Sequence, residues 1–243
     1  MRKSVCVALL ALAIPADADA AGRPSFDCMT ASTAREVAVC AVNRLAAADR
    51  SMASAFRAAR RRFEGAGLQA LVEDQQAFLR DIDYGFERDV WNKDEVTRIQ
   101  ETVDRLVREK DRSLDELATQ IEDRTRFLSR AGSASGGFGG FWSNHEATLL
   151  LRPIRSNVWE AEFTIDTYGF AKDHCYFRAT FRKQGEVLVT EEAIGLDERS
   201  GGDVRLTLTL QDGLLAMSQG PGEGRACSRF GDLQLKLFKT ATP

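Results

Sequence analysis

Residues 131–140 read Ala-Gly-Ser-Ala-Ser-Gly-Gly-Phe-Gly-Gly, and the hydrophobic period of the chain changes across them. Glycine and serine at this density are linker chemistry. A phosphate-cradling glycine loop would need a strand before it and a helix opening with Lys-Ser/Thr after it. Here the preceding sequence is helical in period and the following sequence alternates. The expectation is an α+β chain in two segregated parts. An antiparallel helical bundle spans 21–130, a linker 131–140, and a small antiparallel β barrel or sandwich 141–243.

Working back from the linker, apolar residues recur at helical spacing. Thr33 and Glu36 form a T-x-x-E capping box, in which hydroxyl and carboxylate each satisfy an orphan backbone N–H. Leu45, Ala48, Met52, Phe56, Ala59 and Phe63 line one face of a second helix, with Gly65-Ala66-Gly67 as its stop. Leu68, Leu71, Val72, Gln75, Phe78, Leu79 and Ile82 predict a third helix, ended by Tyr84-Gly85. Val96, Ile99, Val103, Leu106, Leu114, Leu117 and Ile121 predict one long fourth helix starting near Asp94. Narrow apolar stripes with charge on the other sides pack as a small bundle.

Working forward, the period becomes two. Trp159, Ala161, Phe163 and Ile165 alternate with Glu160, Glu162, Thr164 and Asp166. Cys175, Phe177, Ala179 and Phe181 repeat the pattern, as do Leu206, Leu208 and Leu210, then Leu233, Leu235 and Leu237. Turn signals at 155–157, 184–185, 200–202, 211–213 and 220–224 separate them. About seven short strands are expected.

The N-terminus sets the expected compartment. Arg2 and Lys3 precede an apolar run from Val5 to Ile14, Pro15 interrupts it, and Ala18-Asp19-Ala20 supplies a small-x-small cleavage pattern. Residues 1–20 are therefore read as a signal peptide for the periplasm or for secretion. The run is too short to span a bilayer, and no membrane span is expected. Cys6 lies inside the run. Cys28, Cys40, Cys175 and Cys227 remain, an even number that reads as two disulfides with three connectivities open. Cys28–Cys40 and Cys175–Cys227 is the economical pairing, one in each half. Eleven residues between the close pair do not match zinc-site spacing. The net charge of -3 and the near-neutral halves exclude nucleic acid as a partner.

No catalytic residues, metal ligands or cofactor are expected. Asp173-His174-Cys175 offers an acid, a base and a thiol, but on a strand His174 faces away from both neighbours and Cys175 is expected oxidised. His145 beside Glu146 provides two potential ligands without metalloprotease spacing. Glu73-Asp74, Asp81/Asp83 and Glu191-Glu192 are paired carboxylates, read as solvated faces. The run Arg60-Arg61-Arg62 complements the C-terminal dipole of the second helix. With Arg225 in the glycine-rich 220–224 neighbourhood, it supplies the candidate cations for a carboxylate-rich partner.

Phe26-Asp27-Cys28, Ala31, Thr33, Glu36, Val39-Cys40, Leu45-Ala46, Asp49, Met52 and Phe56 together resemble the LprI-type lysozyme-inhibitor N-terminal domain. Gln75-Gln76-Ala77-Phe78-Leu79 is similar to that family's Q-x-x-W-L helix, and Asp111-Arg112 with Leu114 and Leu117 to its closing helix. The likeness covers about residues 25–120. Ile82 and Asp83 stand where the family often has Arg-Asp, and Phe86 where a further cysteine follows. The resemblance implies an exported helical domain that binds a protein, lysozyme or another cell-envelope hydrolase. A non-catalytic adaptor of the envelope is the alternative.

Overall fold

The computed structural model describes residues 22–90, 99–133, 136–166, 174–195, 205–220 and 234–240. Helices occupy the first half and a closed antiparallel barrel the second.

A 3-10 turn at Cys28–Thr30 opens the bundle, and the Asp27 side chain accepts from the Met29 N–H. The Cys28–Cys40 disulfide is formed and ties this turn to α1 (Ala34–Ala41). Both arms of the Thr33/Glu36 capping box are present. After a break at Val42, α2 (Asn43–Arg60) buries Leu45, Ala48, Met52 and Ala59. The next helix, α3 (Gly65–Val90), runs straight through Tyr84-Gly85, where an end was expected. A lone interior glycine costs a helix only about 1 kcal/mol, and Ile82 and Phe86, buried on either side of it, offset that cost.

The long fourth helix is two helices: α4 (Ile99–Glu109) and α5 (Arg112–Arg130). Lys110 takes a left-handed φ of 53°, and Asp111 caps α5 by accepting from the Ser113 N–H. The same apolar stripe therefore continues across a change of direction that periodicity alone does not register. α2 packs along α5, and α1 against α3 and α4.

Eight strands form the barrel: β1 (Gly140–Ser143), β2 (Ala147–Arg155), β3 (Val158–Asp166), β4 (His174–Gln184), β5 (Val187–Gly195), β6 (Leu206–Gln211), β7 (Leu214–Gln219) and β8 (Gln234–Thr240). Each pairs with its sequence neighbour, and β1 closes the ring on β8. The strand count exceeds the expected seven because short β1 carries too few residues to display alternation. Closure removes the free edges that an open sheet would expose. The alternating apolar set points inward: Trp142, Phe163, Phe177, Phe181 and Leu237 are buried. The rings of Phe163 and Phe177 stack with centroids 4.4 Å apart. An eight-stranded barrel is just wide enough to be filled by its own side chains.

Two outward-facing barrel residues, Leu214 and Phe238, belong instead to the helical core. Phe238 meets Phe63 and Phe127 edge-to-face, with ring centroids 5.3 and 6.0 Å away. The Gly/Ser segment follows this seam. Ala131 and Phe138 are buried, the Gly132 N–H donates to the Lys239 carbonyl, and the Trp142 indole N–H donates to that of Phe138. Gly132 has φ +70°, and a Cβ there would lie 2.6 Å from the Phe63 ring. Only glycine lets the backbone cross so close to that phenylalanine. Lys239 lies over the Trp142 ring, with its ammonium on the carbonyls of Gly136 and Gly137.

Candidate functional site

Beside the apolar seam lies a polar one. α3 buries Asp74 and Gln75 between Leu71 and Phe78, and α5 buries Arg124 between Ile121 and Leu128. Arg124 donates to Gln75 Oε1 at 2.8 Å and to Asp74 Oδ2 at 2.7 Å. Its guanidinium also faces the rings of Phe78 and Phe127, at 5.1 and 4.6 Å from their centroids. Its planar fork can use carboxylate, amide and ring faces at once, which a lysine cannot do.

The β1–β2 turn brings the third partner. Asn144 accepts from the backbone N–H groups of Glu146 and Ala147, an asparagine-bound turn that turns His145 and Glu146 toward α3. His145 donates its backbone N–H to Asp74 Oδ1 at 3.0 Å, and its ring Nδ1 lies 2.7 Å from the same oxygen. Asp74 thus binds Arg124 through one oxygen and His145 through the other, joining α3, α5 and the barrel.

The second ring nitrogen, Nε2, lies 3.3 Å from Asp81 Oδ2 and 3.3 Å from Glu146 Oε1. It is buried and ion-paired with both, without the alignment of a hydrogen bond to either. The His145 side chain is only 6 % exposed, while those of Asp81 and Glu146 are 35 % and 40 % exposed. Asp81, His145 and Glu146 each present one potential ligand atom, all within 4.8 Å of one another.

Electrostatics follow from this arrangement. Burial works to lower the His145 basicity, but the carboxylates of Asp74, Asp81 and Glu146 outweigh it and push the imidazole up to about 11. Burial likewise works to raise Asp74, while His145 and Arg124 hold it below the usual carboxylate range. The imidazole faces a recess of about 290 Å³, bordered by Arg80, Glu146 and Lys236. Across the turn, a smaller one of about 120 Å³ is bordered by Phe78, Arg124 and Phe127.

The paired carboxylates are not all solvated as expected. Asp74 is buried, and Asp83 accepts from Arg35 at 2.7 Å and from the Thr33 hydroxyl. Glu73 is exposed and pairs with Lys236. The expected binding arginines divide. Arg60 and Arg61 are exposed, with Arg60 over the Phe56 ring. Arg62 donates to the carbonyls of Leu128 and Ala131, so it caps α5 and not its own helix. Arg225 lies outside the described residues, as do residues 1–20 and Asp173. Cys175 is disulfide-bonded, and its expected partner Cys227 is outside the described residues.

Arg124 and Asp74 carried a signal in the sequence. Both occupy apolar-stripe positions, Arg124 between Ile121 and Leu128 and Asp74 between Leu71 and Phe78. A charge on a buried stripe requires a partner. No family model, curated protein or solved structure matches the chain.

Proposed function

We propose that the chain is an exported protein-binding module that acts without catalysis, occluding lysozyme or a related cell-envelope hydrolase. The observation that carries this reading is the turn at Cys28–Thr30. Met29 stands there 89 % exposed, between the Asp27 cap and the Cys28–Cys40 bridge. The backbone of the turn is already fixed and loses little freedom on association, while the adaptable thioether side chain supplies apolar contact area. Behind it, Arg35 of α1 is paired with Asp83 of α3, so the turn rests on a braced surface.

Charge supports the same direction. Lysozymes are basic outside an acidic catalytic pair, and a chain of net charge -3 is steered toward a basic enzyme. Arg60 and Arg61, exposed at the end of α2, supply cations for a carboxylate pair. Export is supported by the basic-apolar N-terminus and by the disulfide, which persists in oxidising compartments. No helix among the described residues is long and apolar enough to cross a membrane.

The test is lysozyme turnover against the purified oxidised protein, its reduced form and Met29→Asp. Stoichiometric inhibition is expected from the oxidised protein. Reduction should abolish it, and Met29→Asp should weaken it at least about tenfold, the effect of losing roughly 1.4 kcal/mol at an interface. Full lysozyme activity, with the enzyme passing unretained over immobilised protein, would remove the lysozyme assignment and leave the adaptor role.

A further inference from the structure

We propose that Asp81, His145 and Glu146 form a binding site for a first-row divalent transition-metal ion of the Zn2+ class, coordinated by one imidazole nitrogen and two carboxylate oxygens. The site is independent of the lysozyme reading.

Spacing is the first support. His145 Nε2 lies 3.3 Å from an oxygen of each carboxylate. Ligand atoms held about 2.0–2.2 Å from one ion at tetrahedral angles stand about 3.3–3.5 Å from each other. The two nitrogen–oxygen separations already have that value, and the three ligand atoms fit within 4.8 Å.

The second support is the buried nitrogen between the two carboxylates. Nε2 is buried on a side chain only 6 % exposed, and its 3.3 Å ion-pair contacts to Asp81 and Glu146 lack hydrogen-bond alignment. An oxygen at 3.3 Å that accepts no hydrogen bond lies off the N–H axis. A proton on Nε2 is therefore aligned with neither carboxylate, although both attract its charge. An ion placed along that axis, farther out than a proton, would meet both. On binding, the ion takes the place of the Nε2 proton, which leaves to solvent.

The outer contacts match a metal-bound histidine. Asp74 accepts from Nδ1 at 2.7 Å, which fixes the ring and directs Nε2 outward, and Arg124 fixes Asp74 in turn. Such a carboxylate–histidine pair is the usual support for a metal ligand. Charge agrees as well. With Asp74 paired to Arg124 and the bound imidazole neutral, the two carboxylate ligands carry the two negative charges that match one divalent ion. One nitrogen among the donors favours the zinc, cobalt, nickel, iron and manganese group over calcium and magnesium, which prefer oxygen alone. The partly exposed carboxylates leave a route for the ion and room for water on its open positions.

The experiment takes the oxidised, chelator-treated protein and titrates it with Zn2+ by calorimetry and with Co2+ by visible absorption. One equivalent is expected, with cobalt bands of a nitrogen–oxygen site and a Zn2+-dependent rise in Tm. Asp81→Asn and Glu146→Gln should each weaken binding at least about tenfold, and together abolish it. Asp74→Asn, which alters the support of the ring at Nδ1 and the pairing with Arg124, should weaken it about 10- to 100-fold and also lower the Tm in chelator. Both carboxylate side chains are more than a third exposed, so these variants should fold in chelator, with Tm lowered by the lost ion pairs to His145 but no longer raised by Zn2+. Absence of stoichiometric binding by the parent would overturn the proposal. So would an equivalent of Zn2+ bound equally well by the Asp81→Asn/Glu146→Gln double variant.

Discussion

The two parts of the seam between bundle and barrel do the same mechanical job with opposite chemistry. At one, Phe238 enters the helical core against Phe63 and Phe127. At the other, Asp74 links Arg124 and His145 where little water reaches. The apolar contact is forgiving: any side chain of the right shape keeps most of its value, because burial is non-directional. The ionic contact is conditional, since each charge is tolerable only while its partners are in place. The first therefore supplies adhesion, and the second makes the relative placement of β1–β2 turn and α3 specific.

Substitutions separate the two kinds of contact. Phe238→Ala should be the most costly, at about 4 kcal/mol in urea unfolding, from lost burial plus a cavity. No ionic substitution should restore it. Arg124→Ala should cost about 3 kcal/mol by stranding Asp74 in the interior. Unlike the first, this loss should be recovered in part by Asp74→Leu/Arg124→Met, which removes both charges and keeps volume but leaves the His145 backbone N–H and Nδ1 without their acceptor. If the double variant is as unstable as Arg124→Ala, the ionic contact is contributing more than mutual compensation.

What the sequence displayed and what it concealed divide along similar lines. Strands β3 and β4 were legible because their alternation is written in adjacent residues, and the Thr33/Glu36 box because its partners are three apart. The split between α4 and α5 was concealed. The apolar stripe continues through it, and Lys110 is no glycine to announce a left-handed φ. The seam was concealed for a different reason. Asp74 and His145 are 71 residues apart, and Asp74 and Arg124 are 50 apart. Local periodicity marks a charge on an apolar stripe but does not name its partner. His145 and Glu146 were visible as two potential ligands, while Asp81 joins them only when α3 passes the β1–β2 turn.

The smallest expected effect lies at the start of α1, where the capping box is local and part-buried. Thr33→Ala should cost about 1 kcal/mol, the usual value of an N-cap. Partial burial works to raise Glu36, yet the Ser32 and Thr33 backbone N–H groups, Arg35 and the Ser32 hydroxyl hold it below its ordinary value. A depressed folded-state carboxylate contributes stability that is present above its unfolded value, near pH ~4.3, and lost as pH falls through the folded one. Glu36→Gln should therefore flatten the stability profile below about pH 4 and leave its shape at neutral pH unchanged.

Because the seam is shared, bundle and barrel are expected to unfold as one unit. Urea unfolding followed by helical circular dichroism and by tryptophan fluorescence tests it most directly. Trp91→Phe leaves Trp142 and Trp159, both in barrel strands, as the fluorescent reporters. Coincident transitions are expected in this protein, and separated ones once Phe238→Ala and Arg124→Ala are combined. Two separate transitions before any seam substitution would contradict it.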